Sequence, residues 1–305
     1  MDKAKPPPRV PPLRRREPLP HCSPKPASED PDAPARIQAL LAAPSYRIAN
    51  EDPDFLASAS ARGLRLQMDY LKPEELLRAH GIERTVVVFG SARICEPAGA
   101  RDRAEAARAA LAAEPEDADL ARRLAVAERV LANSHYYEVA REFGRLVGEH
   151  PLWGGERAYV VTGGGPGVME AANRGAFDVG RKTIGLNISL PREQFPNPYI
   201  TPDLCFDFHY FAMRKLHFLQ RAIALVAFPG GFGTIDELFE VLTLTQTRKI
   251  APLPIVLVGE RYWRRAIDFD FLAEQGVIDA EDLELFTFAE SATEIAAAIR
   301  AWRPG

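Results

Sequence analysis

The segment Pro229–Glu237 combines a glycine-rich loop with an acidic side chain, and it follows the apolar run 223–228. Glycine lets the backbone approach an anion closely, and the free N–H groups of a helix N-terminus favour phosphate. The Glu237 carboxylate could stabilise positive charge on a sugar or align a water during glycosidic cleavage. A T-x-x-E capping box of Thr234 and Glu237 is an alternative without catalysis, and the two roles are compatible. The glycine density before Thr234 favours a phosphate cradle, because a cap needs no Gly-Gly-x-Gly.

Two further loops carry glycine directly after apolar runs. The first is 89–93, with the sequence Phe-Gly-Ser-Ala-Arg, and the second is 163–167, with the sequence Gly-Gly-Gly-Pro-Gly. Each loop alone could be only a tight connection. In a parallel sheet, however, the loops at the carboxyl ends of the strands meet at one edge, where ligands gather. Three such loops therefore indicate a phosphate-bearing ligand better than one would.

Several common enzyme motifs are missing from the chain. No G-x-G-x-x-G with a following acidic ribose ligand is present, and no G-x-x-x-x-G-K-[ST], which disfavours NAD binding and P-loop ATP hydrolysis. The six histidines show no H-E-x-x-H spacing, and no serine lies in G-x-S-x-G. His209 and His217 are expected to make local hydrogen bonds. We expect neither a metal site nor a cofactor.

Short apolar runs alternate with helical spacing along most of the chain. A continuous apolar strand is typical of a parallel sheet covered on both faces. The pattern therefore predicts an α/β fold, with a doubly wound, Rossmann-like, mostly parallel sheet and helices on both faces. The predicted strands are 85–89, 159–162, 183–187, 205–208, 223–228 and 254–258.

Composition divides the chain into a tail and one domain. Residues 1–45 hold 12 of the 26 prolines and the basic run 14–16, which predicts a disordered, proline-rich tail. Residues 46–305 are expected to form a single nucleotide-binding domain. Its segment 97–132 is rich in Ala, Arg and Glu and predicts a helical insertion, either a lid or dimer arm or a solvated packing element.

The bulk composition limits the partners. The chain has 305 residues, 47% of them hydrophobic, and a formal net charge of −4. That balance argues against a nucleic-acid polymer or a membrane surface as partner, while a small anion remains compatible with it. Three widely spaced cysteines suggest neither disulfides nor a zinc site, and no signal peptide or spanning segment is recognisable. We therefore expect a cytoplasmic protein.

Four elements together resemble the LOG family, the cytokinin riboside 5′-monophosphate phosphoribohydrolases, long labelled lysine decarboxylases. The segment 229–237 matches the family's PGGxGTxxE motif, and 213–215 is similar to its arginine–lysine element. The loop 163–167 resembles its GGG loop, and 191–193 its Pro-Arg-Glu element. The order is that of the family over about residues 84–260. The tail, the insertion and Glu170, where plant members commonly have Gly, indicate a longer bacterial branch.

The resemblance implies an AMP nucleosidase-like hydrolysis of a purine nucleoside 5′-monophosphate to free base and ribose 5-phosphate. It implies Arg214 and Glu237 as the catalytic pair, and a homodimer or higher homo-oligomer. The alternative is a non-catalytic carrier that binds a nucleotide or the molybdenum cofactor. Lysine decarboxylation would require a pyridoxal-phosphate lysine, for which the sequence offers no context. The expected substrate-binding residues are Gly90, Ser91, Gly164, Gly165, Glu193, Met213, Lys215, Gly230, Gly231, Phe232, Gly233, Thr234 and Asp236.

Overall fold

A computed structural model describes residues 23–151, 157–190 and 195–303 of the chain. The chain divides into a small compact unit that ends at Gly63 and a large compact unit that begins at Leu64. The described part of the small unit contains α1 (Ala33–Ala42), α2 (Pro53–Ala57) and 3-10 helices at Pro44–Tyr46, Ala49–Glu51 and Ala59–Ala61.

The predicted proline-rich tail contains regular structure near its end. Helix α1 occupies ten of the residues expected to be disordered. It starts with a proline among its first two positions, where the missing N–H is not needed, and continues through an alanine- and leucine-containing stretch. Residues 1–22 of the predicted tail lie outside the described residues.

The described residues form a seven-stranded sheet in which every pair of neighbours is parallel, in the order β4-β3-β2-β1-β5-β6-β7. This confirms the doubly wound, Rossmann-like fold. Strand β7 was missed from the sequence, because its four residues include a polar Thr within a short apolar run. The strands are β1 (Thr85–Phe89), β2 (Tyr159–Thr162), β3 (Ile184–Ile188), β4 (Cys205–Phe208), β5 (Ala222–Ala227), β6 (Ile255–Val258) and β7 (Phe286–Ala289).

Helices cover both faces of the sheet. Alternate residues of β1 point to opposite sides, so that Val86 and Val88 join one core and Val87 and Phe89 the other. The first core is closed by α6 (His135–Glu149), α7 (Val168–Asp178) and α12 (Ala292–Ala301). The second is closed by α3 (Arg62–Ala79), α8 (Phe211–Gln220), α9 (Phe232–Gln246), α10 (Glu260–Ala266) and α11 (Phe269–Glu274).

The strand order reverses direction at the pair β1–β5. Strands β2, β3 and β4 lie on one side of β1, and β5, β6 and β7 lie on the other. At such a switch point the loops leaving the two central strands diverge and open a crevice. The loops that diverge here are the two glycine-bearing segments that follow β1 and β5, tied together by the Ser91 N–H, which donates to the Pro229 carbonyl oxygen at 3.0 Å.

Two helices occupy the predicted insertion. They are α4 (Pro97–Ala113) and α5 (Ala118–Asn133), which pack against each other. Asp117 caps α5 by accepting hydrogen bonds from two backbone N–H groups of its first turn. Within the described ranges, no helix is both long enough and apolar enough to cross a bilayer.

Candidate active site

A cavity of about 960 Å³ opens at the carboxyl ends of the central strands. The cavity is lined by residues of the loops after β1 and β5, of the end of β3, and of α8 and α9. A cavity of this size accommodates a nucleotide-sized ligand. The site residues predicted from the sequence that line it are Gly90, Ser91, Arg214, Gly231, Gly233, Thr234 and Glu237.

Arg214 and Glu237 meet at the cavity wall. The Arg214 Nη2 atom donates to Glu237 Oε1 at 3.3 Å, although the residues lie 23 positions apart on α8 and α9. Both side chains are mostly shielded from water, with exposed fractions of 14% and 7%. The Arg214 guanidinium also lies over the Phe211 ring, with its central carbon 4.9 Å from the ring centroid. Its Nε atom is buried and has no hydrogen-bond partner in the part of the chain described.

Burial dominates the electrostatics of this pair. Removal from water raises the pKa of Glu237 to about 7, while the charges of Lys215 and Arg214 oppose that shift. Burial also lowers the pKa of Arg214, partly offset by Glu237. A carboxyl group with a pKa near 7 gains or loses a proton in the neutral range, as a general acid or base must.

Lys215 and Asp236 pair with each other outside the cavity lining. The Lys215 Nζ atom lies 2.8 Å from Asp236 Oδ2 and 3.0 Å from Glu240 Oε2, but 4.0 Å from Glu237 Oε2. Burial alone would lower the pKa of Lys215, but its hydrogen bonds to Asp236 and Glu240 raise it. Neighbouring positions on a helix point about 100° apart, and here Arg214 and Glu237 line the cavity whereas Lys215 and Asp236 do not.

The N-terminus of α9 is an open cradle. The helix begins at Phe232, Gly231 is its N-cap, and no side chain caps it. The structure does not contain the alternative capping box of Thr234 and Glu237, because Gly231 is the N-cap and Thr234 lies inside the first turn. A Cβ atom on Gly231 or Gly233 would meet no heavy atom within 4 Å, so both positions border free space. Unpartnered N–H groups facing such space form an anion-binding site.

Gly230 and Phe232 flank the cradle without lining the cavity. A Cβ atom on Gly230 would lie 2.1 Å from Thr234 Oγ1, so glycine permits this close turn. The Phe232 side chain is 93% exposed. Met213, one position before Arg214 on α8, packs against the second core.

The loop 163–167 is fixed by a buried network of amides and hydroxyls. Asn197 Nδ2 donates to the carbonyl oxygens of Gly164 and Gly165 at 3.2 and 3.1 Å, and to Asn173 Oδ1 at 3.0 Å. The Thr162 hydroxyl donates to the same Asn173 oxygen at 2.7 Å. Gly164 has φ +73°, and a Cβ there would lie 1.7 Å from Asn187 Oδ1. Gly163 lines the cavity, whereas Gly164 and Gly165 do not and are held by their hydrogen bonds to Asn197. Glu193 lies outside the described residues.

Sequence reasoning missed four polar residues of the lining, namely Arg93, Asn187, Ser189 and Asp207. Asn187 is the penultimate residue of β3, close to the carboxyl edge at which ligands gather, so the carboxyl-edge rule could have selected it. Its Nδ2 atom donates to Cys205 Sγ at 3.5 Å, and burial raises the pKa of that thiol. Phe195, Phe206 and Phe211 add aromatic surface that no sequence motif indicated.

Comparisons with known proteins agree on one family. Residues 169–299 match the family model described as possible lysine decarboxylase. The chain is 32% identical over 140 residues to the probable cytokinin riboside 5′-monophosphate phosphoribohydrolase LOG4 of Oryza sativa subsp. japonica, covering 45% of this chain and 59% of that protein. It is 30% identical over 149 residues to the cytokinin riboside 5′-monophosphate phosphoribohydrolase LOG3 of Arabidopsis thaliana, covering 48% of this chain and 67% of that protein.

Among solved structures, the molybdenum cofactor binding protein from the phototrophic bacterium Rippkaea orientalis aligns with a TM-score of 0.40 and 21% identity. That alignment covers 54% of this chain and 86% of the other. The chain spans about three fifths to two thirds of the length of the two plant relatives, 59% and 67%. With 30% identity over that share of the Arabidopsis protein, and with the four motifs in order, the chain belongs to the LOG family.

Proposed function

We propose that the chain is a nucleoside 5′-monophosphate phosphoribohydrolase with an AMP-like purine nucleotide as substrate. The observation that carries this proposal is the buried Arg214–Glu237 pair, which lies at the wall of a nucleotide-sized cavity that also contains the uncapped N-terminus of α9. Activity of this kind is the one for which the plant relatives are named.

The reaction breaks the bond between C1′ of the ribose and the base nitrogen. Water supplies the oxygen that bonds to C1′, and one of its protons ends on the base nitrogen, so the products are free base and ribose 5-phosphate. Positive charge grows on the sugar as the bond lengthens. A carboxylate close to C1′ stabilises that charge and takes the proton of the attacking water.

Glu237 is the group proposed for this role. Its pKa of about 7 lets it act as a base near neutral pH and still return the proton. Arg214 holds the carboxylate in one orientation through the 3.3 Å contact.

The phosphate is proposed to bind at the cradle before α9. Gly231 and Gly233 leave room there for a tetrahedral anion, and the helix dipole favours its negative charge. The base would then lie against the aromatic part of the lining, where Phe211 and Phe195 offer flat apolar surface.

Incubation of the full chain with AMP tests the proposal. We expect adenine and ribose 5-phosphate in equal amounts, measured by chromatography and by a coupled ribose 5-phosphate assay. Adenosine, which lacks the phosphate, should be cleaved far more slowly, and a panel of GMP, CMP and UMP ranks the bases. Adenine that appeared with ribose 1,5-bisphosphate in phosphate buffer, the product of attack by phosphate rather than water, would contradict hydrolysis.

A carrier protein is the competing function. If calorimetry showed that AMP or a pterin phosphate binds while no base is released over hours, the chain would be a carrier protein rather than an enzyme. We also propose a homodimer, as the family resemblance implies, and light scattering of the purified chain measures its mass directly.

A further inference from the structure

The helical insertion forms a second cavity of about 470 Å³ next to the proposed reaction cavity. Its charged lining consists of Arg93 from the loop after β1, Arg103 from α4, and Arg122 and Arg123 from α5. No acidic residue lines it, and one side is the apolar surface of α5. A concave surface with charges of one sign is a recognition site for the opposite charge.

The arginines of this cavity are largely free of protein partners. Arg122 pairs with Asp119 at 2.9 Å, an exposed contact within one turn of α5. Within the described ranges, the guanidinium groups of Arg93, Arg103 and Arg123 make no ion pair or hydrogen bond. By contrast, Arg108 on the same pair of helices lies 2.9 Å from the Glu128 carboxylate. Of these four arginines lining one cavity, Arg122 alone pairs with a carboxylate among the described residues. Like charges held this close repel one another, and a polyvalent anion relieves that repulsion.

We propose that this cavity binds an oligophosphate, meaning a group of two or more linked phosphates, at a site separate from the nucleotide cavity. A single orthophosphate engages one or two guanidinium groups in bidentate fashion, whereas linked phosphates reach all four. The insertion thereby gains a function that the hydrolytic reaction does not require.

The site is coupled to the reaction cavity through one loop. Arg93 and Ala92 line both cavities, and the Arg93 N–H donates to Ser91 Oγ at 3.1 Å. Ser91 in turn holds the start of α7, whose Val168 N–H donates to the Ser91 carbonyl oxygen at 3.2 Å. An oligophosphate that takes the Arg93 guanidinium withdraws that charge from the reaction cavity.

Calorimetric titration of the full chain with inorganic tripolyphosphate tests the site without reference to any enzymatic activity. We expect saturable binding by the unmodified chain, and orthophosphate binding that is at least about tenfold weaker. The double variant Arg103→Gln/Arg123→Gln should weaken tripolyphosphate binding by about tenfold or more.

The matched control is Arg101→Gln/Arg129→Gln, which removes the same two charges from exposed positions of the same two helices. This control should bind tripolyphosphate within about twofold of the unmodified chain at 0.15 M salt, where distant surface charges are screened. Circular dichroism verifies that both variants remain helical. Equal losses in the two double variants would reduce the effect to net charge and overturn the proposal, as would unchanged binding by Arg103→Gln/Arg123→Gln. Loss of base release, which tests the proposed hydrolase function, leaves this binding result unaffected.

Discussion

Arg214 and Glu237 form a buried ion pair across α8 and α9, with 3.3 Å between Arg214 Nη2 and Glu237 Oε1. A buried pair of this kind is costly to desolvate and adds little to stability by itself. Its position at the wall of the cavity of about 960 Å³ gives the better reason for its presence. The burial that makes the pair costly also raises the pKa of Glu237 into the neutral range.

The pH dependence of base release should follow Glu237. Because the ionised carboxylate is the active form, kcat/KM should rise with pH through about 7 and then level off. The Lys215 ammonium opposes the burial effect on this pKa, so Lys215→Met should move the midpoint to higher pH. Lys249→Met, at an exposed position, is the control and should leave the midpoint in place. A midpoint that moved to lower pH in the Lys215 variant would contradict the assignment.

The phosphate cradle predicts a selective effect of a single methyl group. A Cβ on Gly233 meets no protein atom, and alanine is a better helix residue than glycine, so Gly233→Ala should preserve or slightly raise the melting temperature. The methyl group would occupy the space proposed for the phosphate and raise KM for AMP about tenfold or more. Steady-state kinetics together with thermal unfolding separate the two effects. An unchanged KM for AMP in the Gly233→Ala variant would show that the phosphate does not bind at this position.

The network behind the loop 163–167 should be important for stability. Asn173→Leu leaves the buried Thr162 and Thr183 hydroxyls without their Asn173 partner and should lower the free energy of unfolding by about 2–4 kcal/mol. Thr245→Val is the contrasting change, since the buried Thr245 hydroxyl has no hydrogen-bond partner in the described structure. That variant should be neutral or stabilising within about 1 kcal/mol. Urea denaturation measures both, and equal losses would contradict the argument.

Much of the fold could be predicted from the sequence because parallel strands are short, continuous apolar runs. The six predicted strands all exist, with ends that differ by at most one residue, whereas the edge strand β7 (Phe286–Ala289) was missed. Its run Phe-Thr-Phe-Ala is no more apolar than many helix segments, and only pairing with β6 identifies it as a strand.

The site was predicted less completely, for geometric reasons. Motif spacing selected both Arg214 and Lys215, but helical geometry turns only Arg214 to the cavity and Lys215 to Asp236. Asn187 lies near the carboxyl end of β3 and Arg93 in the glycine-bearing loop after β1, but the sequence does not show where their side chains point. In the structure Asn187 lines the reaction cavity and Arg93 lines both cavities. The second cavity depends on which faces of α4 and α5 meet the loop, which helical periodicity alone does not determine.

Base release by Glu237→Gln tests the central claim most directly. Glutamine keeps the size of the side chain and removes its charge and its ability to take a proton. We predict that the variant stays folded and releases adenine from AMP about 10²–10⁴-fold more slowly than the unmodified chain, while the exposed control Glu274→Gln stays within about twofold. Adenine release by Glu237→Gln at the unmodified rate would contradict the account.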